Sequence, residues 1–229
     1  MNSIICKMGG MCCTVLLIAT AQTITLSILV QNGDFATGNL SDWTVFLTSN
    51  GSLGAGLPKV VPFDVTGTGT ASDAAKFQAG VAKLVLPIDL TSQGGGIYQT
   101  FNCSAGSYLV SADVAADDVS ATANNSAGLF TLLLDGSPVA SIDLGHISSD
   151  QILRGDLEAT VPLSQGSHQL EVEITRPFLS GSSPGVIEAQ TPFQFVDNIQ
   201  VTAVPEQTSL GLLSLGALFV CWSMRSLRK

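Results

Sequence analysis

"GLFTLLLDGSPVASIDL" (residues 128–144) is the stretch that decides the fold class. Two apolar runs flank Asp135-Gly136-Ser137-Pro138, and a short turn that contains glycine between two such runs predicts a β-hairpin. A second hairpin is predicted further on, because "HQLEVEI" (168–174) follows the turn Gln165-Gly166-Ser167 and alternates strictly between apolar and polar residues. Its apolar residues therefore share one buried face of an antiparallel sheet.

The same pattern of strands and turns extends over residues 22–203. Short apolar segments are separated by turns rich in Gly and Ser, and no segment carries a helical stripe. The sequence therefore predicts an all-β ectodomain, folded as an antiparallel β-sandwich.

The composition favours a protein that works outside the cytosol and excludes nucleic acid as a partner. The 229 residues carry a net charge of −9, and only 12% of them are charged. Five cations are scattered through the region between the two ends of the chain, whereas binding to phosphates needs a clustered basic face.

The N-terminus is typical of a secretory signal peptide that covers residues 1–21. Lys7 precedes an apolar run over residues 11–19, and Ala19-Thr20-Ala21 has the small residues of a cleavage site. A lipoprotein signal is the alternative, although Cys12 and Cys13 come too soon after Lys7, at the start of the apolar run rather than after it.

The C-terminus predicts one membrane helix. Residues 210–224 contain neither a charged residue nor a proline, and the chain then ends in a basic stop that should stay cytoplasmic. A helix of this length is somewhat shorter than the hydrocarbon core, so local thinning of the bilayer and snorkelling of the basic side chains would accommodate it. The alternative, a buried core helix, is disfavoured because the run shows no amphipathic stripe. The basic stop consists of Arg225, Arg228 and Lys229.

The tail of residues 204–229 resembles the PEP-CTERM sorting signal. Val204-Pro205-Glu206, the helix of residues 210–224 and the basic end match its three parts in order, while Gln207 stands where that family has a second proline. The resemblance implies export across the inner membrane of a Gram-negative bacterium. The protein would be anchored in that membrane, processed by an exosortase-like enzyme, and then placed at the cell surface or outside the cell. It also implies an association with exopolysaccharide.

The ectodomain resembles galactose-binding-like jelly rolls, a group that includes many carbohydrate-binding modules. Asn32-Gly33-Asp34-Phe35, Gly38 and Trp43 match the opening strand and turn, and Val196-Asp197-Asn198-Ile199 matches the closing strand. The resemblance implies a jelly-roll sandwich whose first and last strands are neighbours. It also implies a structural calcium ion held by Asp34 and Asp197, although Ala36 stands where many relatives have a glutamate ligand.

The residues of the ectodomain predict that the protein is not an enzyme. The two histidines, His146 and His168, accompany no nucleophile motif, and "GTGTAS" (67–72) lacks the lysine of a phosphate-binding loop. Asp117-Asp118 could flank a glycosidic bond only if a second carboxylate lay opposite in space. A hydrolase is therefore the least favoured hypothesis.

A sugar platform is not evident in the sequence, because few residues could stack on a sugar ring. Trp43, Tyr98 and Tyr108 are the candidates, and Trp43 is predicted to lie in the core. The sequence thus predicts an envelope-anchored or extracellular protein with a structural or adhesive role in an exopolysaccharide-associated layer. The alternative is a glycan-binding module, whose ligand-binding residues the sequence leaves unidentified.

Overall fold

The computed structural model describes residues 28–83, 91–180 and 191–205. These ranges contain strands and turns but no helix, which confirms the all-β prediction for this part of the chain. The strands are β1 (Thr44–Leu47), β2 (Gly51–Ser52), β3 (Lys59–Phe63), β4 (Ser72–Phe77), β5 (Gly80–Val81), β6 (Gln93–Cys103), β7 (Gly106–Asp117), β8 (Leu129–Leu134), β9 (Ser137–Asp143), β10 (Ile152–Leu163), β11 (Gly166–Arg176) and β12 (Phe193–Ala203).

Ten of the strands form two five-stranded antiparallel sheets, and β2 and β5 form a small two-stranded sheet. Sheet I has the order β1-β6-β11-β8-β9, and sheet II has the order β10-β7-β12-β4-β3. The first predicted hairpin occurs as β8–β9. It turns at Asp135 and Gly136, whose φ angles of 51° and 74° are those of the turn that matches the twist of two paired strands. The second predicted hairpin is wrong, because β10 belongs to sheet II and β11 to sheet I. The turn at Gln165-Gly166 therefore connects the two sheets instead of two paired strands, a difference that local alternation does not reveal.

The core lies between the two sheets, as the alternation of β11 predicts. Inward side chains of sheet I and sheet II belong to one buried cluster, so the sheets pack face to face. The members of this cluster from the central strands include Ile97, Phe130, Leu132, Leu170, Val172 and Ile174 of sheet I, and Val110, Ala112, Val114, Val196 and Val201 of sheet II.

A bulge in β12 changes which face its side chains occupy. The ladder with β7 shifts between Asp197 and Gln200, so that Ile199 points into the main core while Phe193 and Phe195 point outward. Phe195 is nevertheless only 2% exposed, because it packs in a second, smaller cluster on the outer side of sheet II.

That second cluster lies under a loop, here called the strap (residues 64–70). The strap leaves edge strand β3 and crosses the outer side of sheet II toward the opposite edge strand, β10. There Arg154 donates hydrogen bonds from Nε and Nη2 to the backbone carbonyl of Asp64, at 3.1 and 3.0 Å. Val65, a residue of the strap, turns its side chain toward the sheet and is 2% exposed. The middle of this outer face is therefore covered.

The beginning of the described chain runs beside its end. Ile28 pairs with Thr202, and the backbone N–H of Leu29 donates to the carbonyl of Val201 at 3.0 Å. The jelly-roll resemblance implied this neighbourhood of the first and last segments.

The predicted signal peptide and most of the predicted tail lie outside the described residues. This applies to residues 1–21 and to Glu206, the helix of residues 210–224, Arg225, Arg228 and Lys229. Within the described ranges, no helix is long and apolar enough to span a bilayer.

Candidate functional site

The outer face of sheet I carries two aromatic rings side by side. Thr44 pairs with Tyr98, and Phe46 pairs with Gly96, so that Phe46 and Tyr98 share the face turned away from the core. Their ring centroids are 6.2 Å apart with an interplanar angle of 51°, and both side chains are half-buried. The two rings are fixed on adjacent strands of a packed sheet, so they form a rigid surface.

Two carboxylates lie beside these rings on the next strand. In the ladder between β6 and β11, Glu171 pairs with Tyr98 and Glu173 pairs with Gly96. Because Leu170, Val172 and Ile174 fill the core, the alternation of β11 turns both glutamates outward. We refer to the outward surface formed by Phe46, Tyr98, Gln169, Glu171 and Glu173 as the Phe46–Tyr98 face.

The glycine run Gly94-Gly95-Gly96 keeps this face open. A Cβ atom on Gly96 would collide with the carbonyl oxygen of Val172, and one on Gly95 would collide with that of Phe46. Glycine is therefore required for the close approach of β6 to its neighbours. It also means that no side chain stands between the ring of Phe46 and the carboxylate of Glu173.

The electrostatics of the face come from the two glutamates. Burial, and then the charge of nearby Glu171, raise the pKa of Glu173. Gln169 donates from Nε2 to Glu171 Oε1 at 3.0 Å. In the part of the chain that the structure describes, neither glutamate forms an ion pair. The carboxylates thus remain acceptors that a ligand with hydroxyl or ammonium groups could satisfy.

The other two candidate aromatics are structural. Trp43 is 7% exposed and donates from Nε1 to the carbonyl of Asn32 at 2.9 Å, which confirms its predicted core position. Tyr108 is 6% exposed, and its hydroxyl donates to the carbonyl of Ser104 at 2.9 Å. Tyr98 is the one of the three that faces outward.

The proposed calcium ligands lie near one another, but their oxygens are partly engaged. The carboxylate of buried Asp197 accepts hydrogen bonds from the backbone N–H of Asn198 at 2.7 Å and from the Ser72 hydroxyl at 2.5 Å. Asp34 is exposed, and its Oδ1 accepts from the N–H of Ala36 at 3.3 Å.

Burial is the main cause that raises the pKa of Asp197, and the carboxylates of Asp113 and Asp34 add to it. A polar pocket of about 350 Å³ adjoins this place, and Asp34, Asn198 and Gln200 contribute to its wall. Even so, no group of three or more acidic, histidine or cysteine side chains in the described ranges is arranged to hold a metal. The fit to calcium is therefore incomplete, and calcium stays a prediction.

The groups considered for catalysis make structural contacts. His168 lies 2.7 Å from Asp135 through Nδ1 and 3.0 Å from the backbone carbonyl of Ser164 through Nε2, so it contacts no serine hydroxyl. Asp118 is fully buried, and its carboxylate accepts from the side chain of Asn124 at 2.8 Å and from the N–H of Ser120 at 2.9 Å. Neither arrangement supplies an activated nucleophile or a pair of facing carboxylates.

The start of the predicted sorting motif is visible at the end of β12. The backbone N–H of Val204 donates to the carbonyl of Ser107 at 2.8 Å, which continues the ladder one residue beyond the strand. Val204 and Pro205 are exposed. A processing enzyme could act on this segment only if the segment is exposed.

Comparison with known proteins yields likenesses in structure only. No family model matches the chain, and no curated protein matches it. Among solved structures, the chain is similar to TmCBM61 in complex with β-1,4-galactotriose (14% identity, 78% of this chain and 99% of that chain, TM-score 0.47). It is also similar to the CBM22-2 xylan-binding domain of Paenibacillus barcinonensis Xyn10C (16% identity, 75% of this chain and 98% of that chain, TM-score 0.40).

A third likeness is to the arabinose-bound α-L-arabinofuranosidase MgGH51 (16% identity, 77% of this chain and 26% of that chain, TM-score 0.43). Since all three TM-scores are below 0.5, these likenesses carry no argument about what this chain binds.

Proposed function

We propose that the sandwich is a glycan-binding domain without catalytic activity, and that its ligand lies on the Phe46–Tyr98 face. The observation that carries this proposal is the pair of outward rings, 6.2 Å apart, beside two carboxylates without a cationic partner among the described residues. Aromatic rings stack on the apolar face of a sugar, and carboxylates accept hydrogen bonds from its hydroxyl groups. A rigid sheet holds both kinds of group in place before the ligand arrives.

The charge of the face restricts the ligand. Two neighbouring carboxylates repel a uronate or a sulfated sugar, so the face suits a neutral glycan. Five strands spaced ~4.8 Å apart give sheet I a width of ~19 Å. This width would accept several sugar units of a chain.

A glycan array followed by calorimetry tests the proposal. The full-length chain would be purified in a nonionic detergent without a sugar headgroup and titrated with the neutral oligosaccharides that the array retains. Loss of one ring in Tyr98→Ala or Phe46→Ala should weaken binding by about fivefold, since ring contacts contribute about 1 kcal/mol. Leu47→Ala is the matched control, because Leu47 is 58% exposed on the same strand and its neighbour Phe46 faces the other way.

Two outcomes would contradict the proposal. One is that no neutral glycan binds saturably. The other is that Leu47→Ala weakens binding as much as Phe46→Ala does. In either case the structural or adhesive role predicted from the sequence would become the better hypothesis.

We also propose that the chain is exported and sorted at the envelope of a Gram-negative bacterium through its C-terminal tail. Val204-Pro205-Glu206, the apolar run of residues 210–224 and the basic end support this proposal. A membrane-embedded exosortase-like enzyme would be one partner and an exopolysaccharide the other.

Mass spectrometry of the mature, cell-associated protein tests the sorting proposal. A form that ends near Glu206 would support processing, whereas a form that retains Arg225 to Lys229 would make the tail a plain anchor. Gln207→Pro should accelerate processing if the second proline aids recognition.

A further inference from the structure

The outer face of sheet II carries two lysines in direct opposition. Lys59 in edge strand β3 pairs with Lys76 in β4. Like charges opposite each other on neighbouring strands destabilise a sheet. Neither ammonium lies within 4.0 Å of a carboxylate of the described residues. Two of the few cations of an acidic chain are thus placed where they repel each other.

Aromatic rings, rather than a carboxylate, position the inner lysine. The Lys76 ammonium lies 3.4 Å from the centroid of the Phe193 ring and 5.7 Å from that of Phe195. The Phe195 ring in turn stacks on Phe63 at 3.7 Å with an interplanar angle of 7°. This stack fixes the ammonium at the surface, beside the strap, by cation–π attraction.

One carboxylate, that of Asp117, offsets the repulsion at Lys76 only in part. Burial and the charge of Lys59 lower the pKa of Lys76, and Asp117 acts in the opposite direction. Asp117 stands opposite Phe193 in the ladder, and its own pKa is raised, chiefly by burial. Asp117 does not remove all of the repulsion between the two lysines, and a bound external anion would relieve the rest.

Protection of a sheet edge explains only part of this arrangement. Exposed lysines on an edge strand discourage pairing with another chain, which suits Lys59. It does not suit Lys76, because β4 lies between β3 and β12. Edge protection therefore does not explain why two lysines lie opposite each other.

We propose that Lys59 and Lys76, beside the ring of Phe193, form a second binding site that takes the carboxylate of a uronate-bearing polysaccharide. The partly exposed side chains of Val61 and Phe63 follow Lys59 along the same face of β3 and can pack against the C–H groups of the sugar that bears the carboxylate. An anion without a sugar ring would contact the two ammonium groups alone.

This site is separate from the Phe46–Tyr98 face, because the two lie on the outer sides of opposite sheets. It also has the opposite charge preference. A domain with both sites could bind a neutral glycan and an acidic glycan at the same time.

The test compares an oligogalacturonate with its methyl ester, which has the same sugar chain without the charge. In calorimetry at low salt, the full-length chain in nonionic detergent should bind the acid, and the ester should bind at least fivefold more weakly. Lys59→Gln/Lys76→Gln should weaken binding of the acid by about three- to tenfold, as expected for exposed charge pairs. Lys76→Arg keeps the charge over the ring, so it should retain the affinity that Lys76→Gln loses.

Two further variants make the assignment specific. Lys83→Gln removes an exposed charge elsewhere and should leave the affinity unchanged. Asp117→Asn removes the carboxylate that acts on Lys76 and should strengthen binding. If the double variant has an altered melting temperature, Lys59→Gln alone is used, because Lys59 is exposed.

Several results would overturn the proposal. They are equal binding of acid and ester, no binding of the acid, equal loss in Lys83→Gln, and competition by inorganic phosphate as strong as that by the oligogalacturonate. Phe46→Ala and Tyr98→Ala should not affect uronate binding, so failure of this site and failure of the Phe46–Tyr98 face are distinguishable.

Discussion

Gln194 is a fully buried side chain whose replacement gives a sharp test of the fold. Its Oε1 accepts from the N–H of Ala79 at 2.8 Å, and its Nε2 donates to the carbonyls of Ala127 and Pro192 at 2.9 and 3.0 Å. Ala79 follows β4 of sheet II, and Ala127 precedes β8 of sheet I. The amide of Gln194 therefore ties the two sheets together at one end of the sandwich.

Gln194→Leu keeps the volume and removes all three hydrogen bonds. One buried N–H and two buried carbonyl groups lose the Gln194 amide as hydrogen-bond partner, and each loss lowers the free energy of unfolding by about 1–2 kcal/mol. Burying a leucine in place of an amide returns about 1 kcal/mol. The free energy of unfolding should therefore fall by about 3 kcal/mol, a large part of the 5–15 kcal/mol typical of a domain. The melting temperature should fall by roughly 6–12 °C.

Urea unfolding followed by Trp43 fluorescence measures this loss, since Trp43 lies in the main core. Gln200→Leu is the matched control, because Gln200 lies on the same strand, is half-buried and makes no side-chain hydrogen bond with the described residues. It should change stability by less than about 0.5 kcal/mol. The reasoning fails if Gln194→Leu destabilises the protein no more than Gln200→Leu does.

Three further predictions follow from single contacts. Asp135 raises the pKa of His168, and His168 lowers that of Asp135. The pair therefore stabilises the fold fully below the ordinary histidine pKa, ~6.5, and this contribution disappears as pH rises through the raised pKa of His168. His168→Gln should make the melting temperature less dependent on pH between 6 and 9, whereas the same change at exposed His146 should not. Gly96→Ala should destabilise the protein in thermal melts by about 2 kcal/mol or more because its Cβ meets the Val172 carbonyl, while Gly106→Ala, whose Cβ has an ordinary contact, should be tolerated. If Asp34 and Asp197 hold calcium, the melting temperature should be higher in millimolar Ca²⁺ than in chelator, and Asp34→Asn should abolish this difference. Equal melting temperatures in the wild type would show that the hydrogen bonds from Ser72 and Asn198 satisfy the Asp197 carboxylate without a metal.

The strand pattern of the sequence predicted the fold class because turns and alternation are local properties. The hairpin at Asp135-Gly136 and the inward face of β11 follow from them directly. The face of β12 does not, because alternation treats Phe193 and Ile199 as core residues and Gln194 as an outward one. The bulge between Asp197 and Gln200 and the strap reverse this assignment, and both depend on contacts distant in sequence.

The candidate binding face was hidden for a similar reason. The alternation of "HQLEVEI" already placed Glu171 and Glu173 together on the outward side, and this signal could have been used. Their position beside Phe46 and Tyr98 depends on the pairing of β11 with β6 and of β6 with β1. Strand order is a long-range property that one sequence does not display, so the aromatic pair could be found only in three dimensions.

Among the described residues, the two outer faces of the sandwich differ because a loop covers the middle of sheet II. On sheet II, Val65 and the strap fill the space over Phe195, and Arg154 secures the strap at the far edge. The proposed uronate site lies outside this cover, at Lys59 and Lys76. On sheet I, Gly96 leaves a gap without a side chain between Phe46 and Glu173, so the face stays open. The two proposed binding sites therefore lie on separate surfaces, and the difference between these surfaces arises from one loop and one run of glycines.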